Sequence, residues 1–330
     1  MENKTKSNKI TELIRNNSNE AGVGIALIVL FLVFSITSPY FLQTNNLNNV
    51  LYQVSAIGIL AIAQTMVLLT GGIDLSIGSI FTLSGWLMCF FVKEVGLAQG
   101  IIIGLSVGIL CGLINGFLIS VTRLEPFIVT LGTMSIFHGI VYIISDSKAV
   151  SNLPVILEKI DNFKLLGIPS YVLTLLIVFI LSHLFLTYTK TGRMIYAIGS
   201  NELSARYSGV PVHLYKMVPY VLVGFLSFIA VFLQSAHLMA IDANAGTNLN
   251  LDSITAVVIG GTSLQGGRGS LIGTAIGVLL IGILGNGLNM LGVSSYWQRV
   301  VVGIILIFAI ASQKIRLANK SKVKASQDNQ

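Results

Sequence analysis

Long apolar segments alternate with short polar clusters along almost the whole chain of 330 residues. Crossing the hydrocarbon core of a bilayer takes about 20 mostly apolar residues in a helix. The every-second-residue alternation typical of membrane β-barrels is absent from the sequence, so the backbone must satisfy its hydrogen bonds within helices. The pattern therefore predicts an all-α polytopic membrane protein with about ten transmembrane helices, some of them broken.

The predicted spans differ in length, and two are short for a plain crossing. The first lies at 22–37. The eighth ends at 259 and is capped by Asp252; it is interpreted as a half-helix or as a span completed by neighbouring backbone. An asparagine-rich run, Thr44–Asn49, is expected to cap the second span. The other predicted spans are 44–70, 77–91, 97–121, 126–144, 170–188, 217–239, 271–290 and 297–311.

Composition and charge agree with a membrane protein and suggest its orientation. Apolar residues make up 54% of the chain and charged residues 10%, against roughly 25% charged in soluble domains. The net charge of +7 is carried by tails and loops, which indicates the positive-inside bias of membrane proteins and not nucleic-acid binding. With both termini in the cytoplasm, all but five of the 20 basic residues lie on the cytoplasmic side.

This orientation divides the chain into three parts. Residues 1–20 form a cytoplasmic tail, residues 21–312 the transmembrane region, and residues 313–330 a basic cytoplasmic tail. The polar segment at 189–216 then lies inside, with one or two short helices. The loop at 145–169 has no basic excess, as expected outside.

A carboxylate stands between two apolar segments in the run Gly71–Ser79. The double glycine breaks the incoming helix, which also carries Gln64, and Asp74 or Ser76 can cap the outgoing one. Ionisable residues are expensive within a membrane and usually face a cavity or a partner. The run is therefore either a broken helix that lines a translocation path or a plain capped turn at the membrane surface.

A second polar cluster, at 242–248 with Asp252 close behind, is predicted at the outer membrane edge. Its side chains, including Asn244 and Thr247, can donate and accept hydrogen bonds, as a hydroxyl-rich solute requires. The cluster either receives such a solute, contacts a delivery protein, or is an ordinary external turn. The candidates to line a translocation path are Gln64, Asp74, Ser76, Asn244, Thr247 and Asp252.

Three other patterns suggest phosphate binding, catalysis or metal binding, but each lacks a feature that this chemistry requires. The segment 260–270 has the glycine spacing of a phosphate-binding loop, but Gly267-Arg268 replaces the required Lys-Ser/Thr pair. Gly104–Gly108 matches a nucleophile elbow but lies within a span; Gly104, Gly108 and Gly112 instead form a strip suited to helix packing. The four histidines lack metal-ligand spacing. We therefore expect no cofactor, metal site or catalytic residue.

Eight short motifs follow one another along residues 45–310. They are Gly71–Ser79, Gly192-Arg193, Ala197–Glu202, Ser208–Val210, Ala256–Leu264, Gly266–Gly269, Asn286–Asn289 and Gly292–Tyr296. Taken in this order, they resemble a known family: the membrane permease subunits of bacterial monosaccharide (ribose-type) ABC importers. The resemblance departs at Asp242-Ala243, where members of the family often have Gln-Pro.

The resemblance implies an ABC type II importer-like permease in the bacterial plasma membrane. It implies a homodimer with the pathway between the copies, an extracytoplasmic sugar-binding protein outside and a separate ATPase inside, so the chain itself is no enzyme. The segment 189–216 is similar to the family's coupling loop. The residues matching the coupling motif are Gly199, Asn201, Glu202, Ala205, Arg206 and Gly209.

Two other classes of function remain as alternatives. An ion-coupled secondary transporter is expected to carry several intramembrane carboxylates, and here only Asp74 and Asp252 qualify. An intramembrane enzyme needs a nucleophile and a base at matched depth, and no such pair is evident in the sequence. The leading hypothesis is a permease that moves a neutral monosaccharide, ribose first among the candidates, while a partner hydrolyses ATP.

Overall fold

The computed structural model describes the backbone of residues 18–327 and the side chains from 21 to 314. Predictions for residues 1–17 and 328–330, parts of the two tails, lie outside the described residues. Within the described part the helices are α1 (Ser18–Thr37), α2 (Thr44–Leu69), α3 (Ile77–Val95), α4 (Leu97–Ser120), α5 (Pro126–Ser145), α6 (Val155–Asp161), α7 (Ser170–Tyr188), α8 (Lys190–Ser200), α9 (Glu202–Tyr207), α10 (Val212–Leu238), α11 (Leu249–Ile259), α12 (Leu271–Met290) and α13 (Ser295–Gln327). The strands are β1 (Val150–Ser151), β2 (Lys164–Leu165), β3 (Ile168–Pro169) and β4 (Ala240–Ile241).

The prediction of an all-α polytopic membrane protein is confirmed. Eight helices within residues 18–327 are long and apolar enough to cross a membrane, namely α2, α3, α4, α5, α7, α10, α12 and the first part of α13. Two shorter apolar helices accompany them, Ala21–Thr37 within α1 and Leu249–Ile259. These are the two segments that the sequence marked as short, so the ten predicted spans comprise eight full-length helices and two shorter ones.

Helix α2 contributes to both of the large hydrophobic clusters. The first cluster packs α2 against α3, α4 and α10, with Ile59, Phe81 and Tyr220 completely buried. The second packs α2 against α1, α11 and α12, with Phe34 and Val257 buried in it. Helix α13 lies at the periphery, because none of the residues in its apolar window is buried.

The predicted glycine strip on α4 faces α10. A Cβ atom added to Gly108 would lie 2.6 Å from the carbonyl oxygen of Gly224, and one added to Gly112 would lie 2.3 Å from that of Tyr220. Small residues at such points let two backbones approach closely, which is the main source of helix association in lipid. The close contact of α4 with α10 therefore depends on the strip.

The loop at 145–169 is tied to the ends of the spans around it. Strand β1 pairs antiparallel with β4, and Lys93 Nζ on α3 donates to Ser151 O at 3.0 Å. The short helix α6 is held by a hydrogen bond between Asp161 Oδ2 and His237 Nδ1, 2.9 Å apart, and Tyr52 stacks on the His237 ring. The loop is thus part of the packed structure.

Three local predictions were wrong. The asparagine run does not cap α2, whose N-cap is Gln43; instead Asn46 and Asn286 exchange two amide hydrogen bonds of 3.0 and 2.9 Å between α2 and α12. Helix α11 starts after Asn248, so Asp252 lies in its first turn and is not its cap. Helix α10 begins at Val212, five residues before the predicted span.

We expect Gly112→Val to destabilise the bundle, because the added side chain would force α4 away from α10. Overpacking of this kind costs about 1–3 kcal/mol, visible as a lower melting temperature of the detergent-purified protein. Gly132→Val is the matched control, since a Cβ at Gly132 meets no atom within 4 Å. Equal melting temperatures for both variants would contradict the packing role of the strip.

Candidate functional site

The break between α2 and α3 is folded into the bundle. After Leu69 the chain turns at Gly71, whose φ of +79° favours glycine. It then runs back along α2, where the Gln64 side-chain amide pairs with the backbone C=O and N–H of Asp74 at 3.2 and 3.3 Å. Gln64 lies five residues before the end of α2. The chain therefore runs back past more than one turn of α2 before α3 begins.

Asp74 holds the start of α3 and links it to α4. Its Oδ1 accepts hydrogen bonds from Ser76 N at 2.7 Å and from Ser76 Oγ at 2.6 Å. Asn115 Nδ2 on α4 donates to the same hydroxyl at 2.7 Å. All three side chains and Gln64 are 0% exposed. This burial rules out a turn at the molecular surface, and it makes Asp74 a residue that positions the helix break.

The second polar segment, 242–248, also enters the bundle. Gly246 N donates to Thr82 Oγ1 on α3 at 2.9 Å, and a Cβ at Gly78 would lie only 2.1 Å from Gly246 O. Asn250 Nδ2 reaches Leu75 O at 3.4 Å. The two interrupted stretches of chain, 70–76 and 240–250, therefore meet each other beside the first turn of α3.

The remaining predicted path residues have different surroundings. Asn244 and Thr247 are exposed, and the Asn244 side chain accepts a hydrogen bond from Tyr142 Oη at 2.7 Å. Asp252 lies elsewhere, in a groove of about 620 Å³ lined by α2, α11, α12 and α13. The structure brings Gln64, Asp74 and Ser76 together but keeps Asp252 apart from them.

The segment at 189–211 forms the two predicted short helices. Thr189 Oγ1 accepts from Gly192 N at 3.0 Å and caps α8, and Asn201 Oδ1 accepts from Ser204 N at 2.9 Å and caps α9. Such caps stabilise a helix start by about 1 kcal/mol. At the other end Gly209 turns the chain with a φ of +79°.

Glu202 links α9 to the start of α10 through an ion pair with Lys216. Its carboxylate lies 2.9 Å from Lys216 Nζ and 3.3 Å from Arg206 Nη2. Partial burial raises the pKa of Glu202, but the hydrogen bond from Lys216 and the charges of Lys216, Arg206 and Arg123 hold it below its usual value. Ala205 packs behind this network, in a small apolar cluster with Ile198 and Val212.

Gly199 is where α8 meets the end of α2. A Cβ added there would lie 1.8 Å from Leu69 O and 2.5 Å from Gly267 N, and Gly267 N itself donates to Leu69 O at 2.9 Å. Tyr196 Oη on α8 also donates to Gly269 O at 3.0 Å. Helix α8, the end of α2 and the glycine loop 260–269 thus form one block of backbone contacts directly before the Gly71 turn.

Sequence reasoning missed two parts of this arrangement. The cluster of glycines at 260–269 indicates close backbone approach, but the sequence does not reveal that Leu69 and Gly199 are its partners. Lys216 lies in the segment 189–216, which the sequence predicts to precede the next span. Its contact with Glu202 follows from the early start of α10, which the hydrophobic pattern did not reveal.

Comparison with known proteins adds the family. Residues 46–310 match the model of the branched-chain amino acid transport system / permease component family. The chain belongs to this permease family. The ribose import permease protein of Bacillus subtilis is 44% identical over 292 residues, covering 88% of this chain and 91% of that protein.

Other relatives agree with this membership. The ribose import permease protein of Escherichia coli K12 is 39% identical over 293 residues, covering 87% of this chain and 91% of the relative. The D-allose transport system permease protein of the same strain is 36% identical over 304 residues, covering 89% and 91%. No solved structure matches the chain significantly. The family is that of a membrane permease component, as the motifs predicted.

We expect Gly199→Val to disrupt the junction between α8 and α2, because its side chain would occupy the position of the Leu69 carbonyl. Membrane insertion should be unchanged, while solute uptake by cells carrying the whole transporter should fall at least about tenfold, the effect of losing about 1.4 kcal/mol. Gly303→Val is the control, since a Cβ at Gly303 meets no atom within 4 Å. Normal uptake by the Gly199 variant would show that the junction is not needed.

Glu202→Ala releases Lys216 from α9 and removes the partner of Arg206 within α9, but it removes no membrane-buried group. Under the hypothesis of an ATP-hydrolysing partner, the expected result is normal insertion with reduced uptake, while ATP hydrolysis by the assembly continues without a matching flux. Uptake and hydrolysis are measured together in proteoliposomes. Glu94→Ala, at an exposed carboxylate near the end of α3, is the control and should keep both activities. Tight coupling in the Glu202 variant would contradict this role.

Proposed function

We propose that this chain is the transmembrane permease subunit of an ATP-binding cassette importer for a monosaccharide, with ribose as the first candidate. In the proposed assembly, two copies form the translocation path in the bacterial plasma membrane, with both termini in the cytoplasm. A separate ATPase binds on the cytoplasmic side and an extracytoplasmic binding protein delivers the sugar. Membership of the permease family is the starting point, and the contacts around Gly199 support the mechanism.

The observation that carries the proposal is the backbone junction of Gly199, Leu69 and Gly267. Helix α8 belongs to a polar segment outside the spans, yet it touches the end of α2 with no side chain between them. A push on α8 is therefore transmitted directly to the α2–α3 break. Such rigid contacts suit a permease that receives mechanical work from another chain.

The glycine loop supports an external energy source. A phosphate loop holds its ligand with free backbone N–H groups and a lysine, whereas Gly267 N here donates to Leu69 O and Gly266 N to Ser263 O. The loop contains an arginine and no lysine. Its N–H groups are used within the fold, which favours ATP hydrolysis by a partner.

A groove beside α9 is suited to that partner. It has a volume of about 540 Å³ and lies between the α4–α5 turn, α9 and the start of α10. Charges of both signs line it, from Arg123, Glu125, Arg206 and Lys216. Mixed charges of this kind give orientation and specificity to a docking protein. We assign this groove to the ATPase.

The relatives favour a sugar as the solute. The family's printed description mentions branched-chain amino acids, while the relatives compared above are named for ribose and D-allose. An ion-coupled mechanism has less support, because the Asp74 carboxylate is 0% exposed and accepts hydrogen bonds from Ser76 at the start of α3.

Uptake of radiolabelled ribose by cells expressing the chain with its proposed ATPase and binding protein tests the proposal. We expect uptake that competes with unlabelled ribose and is lost when the ATPase carries a disabled ATP site, because no energy source lies in the permease. Competition by leucine in place of ribose would contradict the sugar assignment. Uptake that persists without the active ATPase would instead support an ion-coupled transporter.

A further inference from the structure

A polar groove of about 620 Å³ lies between α2, α11, α12 and α13, distinct from the groove beside α9. Its amide and charged side chains come from the four helices and from the turn before α11. They are Gln53, Asn248, Asp252, Asn289, Gln298 and Arg299. Gln53, Asn289 and Arg299 are exposed, and the other three are partly buried.

The groove reaches the middle of the bundle. Ile57 and Ile281 also line it, and they lie near the midpoints of the 26-residue α2 and the 20-residue α12. Its other end is at Asn289 and Ser295, where α12 ends and α13 begins. In the orientation predicted from the charges, that end faces outside, so the groove leads from the outer surface to the membrane centre.

The charges in the groove are not paired with each other. Neither Asp252 nor Arg299 takes part in an ion pair within 4.0 Å among the described side chains. Exposing such groups and several amides to lipid is expensive, and intramembrane polar faces mark solute or ion pathways. The groove therefore needs water and a polar solute, or a polar covering, in the assembled protein.

From this geometry we infer that the groove is the surface on which the transported solute, a neutral sugar, binds midway through the membrane. One carboxylate and one guanidinium cancel in charge, so the groove favours a solute without net charge. The amides of Gln53, Asn248 and Asn289 each donate and accept, which matches the hydroxyl groups of a sugar. Only the identity of the solute rests on the proposed function.

This site differs from the one predicted at the α2–α3 break. Asp74, Ser76 and Gln64 have no exposed surface, so a solute cannot reach them without unpacking the bundle. Asp252 is the predicted path residue that lines the groove. Gln53, Asn289, Gln298 and Arg299 are the new members, brought to it by helices distant in the sequence.

Cysteine accessibility in cells that express the complete transporter tests the inference. Gln53→Cys and Asn289→Cys are compared with Leu110→Cys, whose parent side chain is 55% exposed on the apolar surface of α4. The probe is a membrane-impermeant cationic methanethiosulfonate, which reacts with thiolates in water. We expect the two groove cysteines to react about 10- to 100-fold faster than the control, because an apolar environment suppresses thiolate formation.

Protection identifies the solute. Excess ribose should slow modification of Asn289→Cys, while sucrose and leucine should not. The unmodified chain gives the background, since Cys89 and Cys111 are buried. Groove cysteines as unreactive as the control would overturn the inference and indicate that a second copy covers a dry groove. Protection by leucine and not ribose would overturn the assignment to a sugar.

Transport separates this inference from the proposed function. Asp252→Asn should lower ribose uptake about tenfold at low concentrations, whereas Asp146→Asn, at an exposed pair with Lys148, should leave it unchanged. Both variants must insert in normal amounts. If the unmodified chain takes up ribose and Asp252→Asn does so equally well, the groove inference fails alone. If the unmodified chain takes up no monosaccharide, the proposed function fails, whatever the labelling pattern.

Discussion

Backbone that leaves helical geometry inside a membrane bundle must find its hydrogen-bond partners within the protein, and both interruptions of this fold meet that requirement. At the α2–α3 break, Gln64 supplies an amide to the backbone of Asp74. In the segment 240–250 before α11, the backbone N–H of Gly246 donates a hydrogen bond to the Thr82 hydroxyl. An unmet backbone group would cost several kcal/mol in hydrocarbon, so these two polar side chains make the interruptions possible. The breaks are specific features with fixed geometry.

Close backbone contact makes the junction around Gly199 rigid. A long side chain between two elements can change rotamer and absorb movement, whereas stacked peptide groups cannot. Because Gly199, Gly267 and Leu69 meet without intervening side chains, α8 cannot approach α2 further without moving it. Glu202 and Lys216 give the adjoining α9 a similarly defined position against α10.

The sequence predicted what depends on local pattern and missed what depends on distant contacts. Apolar segments of sufficient length identified the spans, and the glycine spacing on α4 identified a packing face. Asn46 looked like a helix cap, but its amide bonds to Asn286, 240 residues away. Residues 242–248 pack into the bundle through contacts of Gly246 with Gly78 and Thr82. The sequence of the segment itself does not predict this packing. The residues of the polar groove likewise come from four separate helices.

The amide pair of Asn46 and Asn286 has a consequence for how the protein is made. The second hydrophobic cluster joins α1 and α2, which leave the ribosome first, to α11 and α12, which leave it near the end. Until α12 has been synthesised, one face of α2 lacks its apolar cover, and the Asn46 amide keeps only its local hydrogen bond to Phe41 O at 2.8 Å. A chain that stops before α12 lacks both this cover and the Asn286 amide, so α1 and α2 complete their packing only when synthesis is nearly finished.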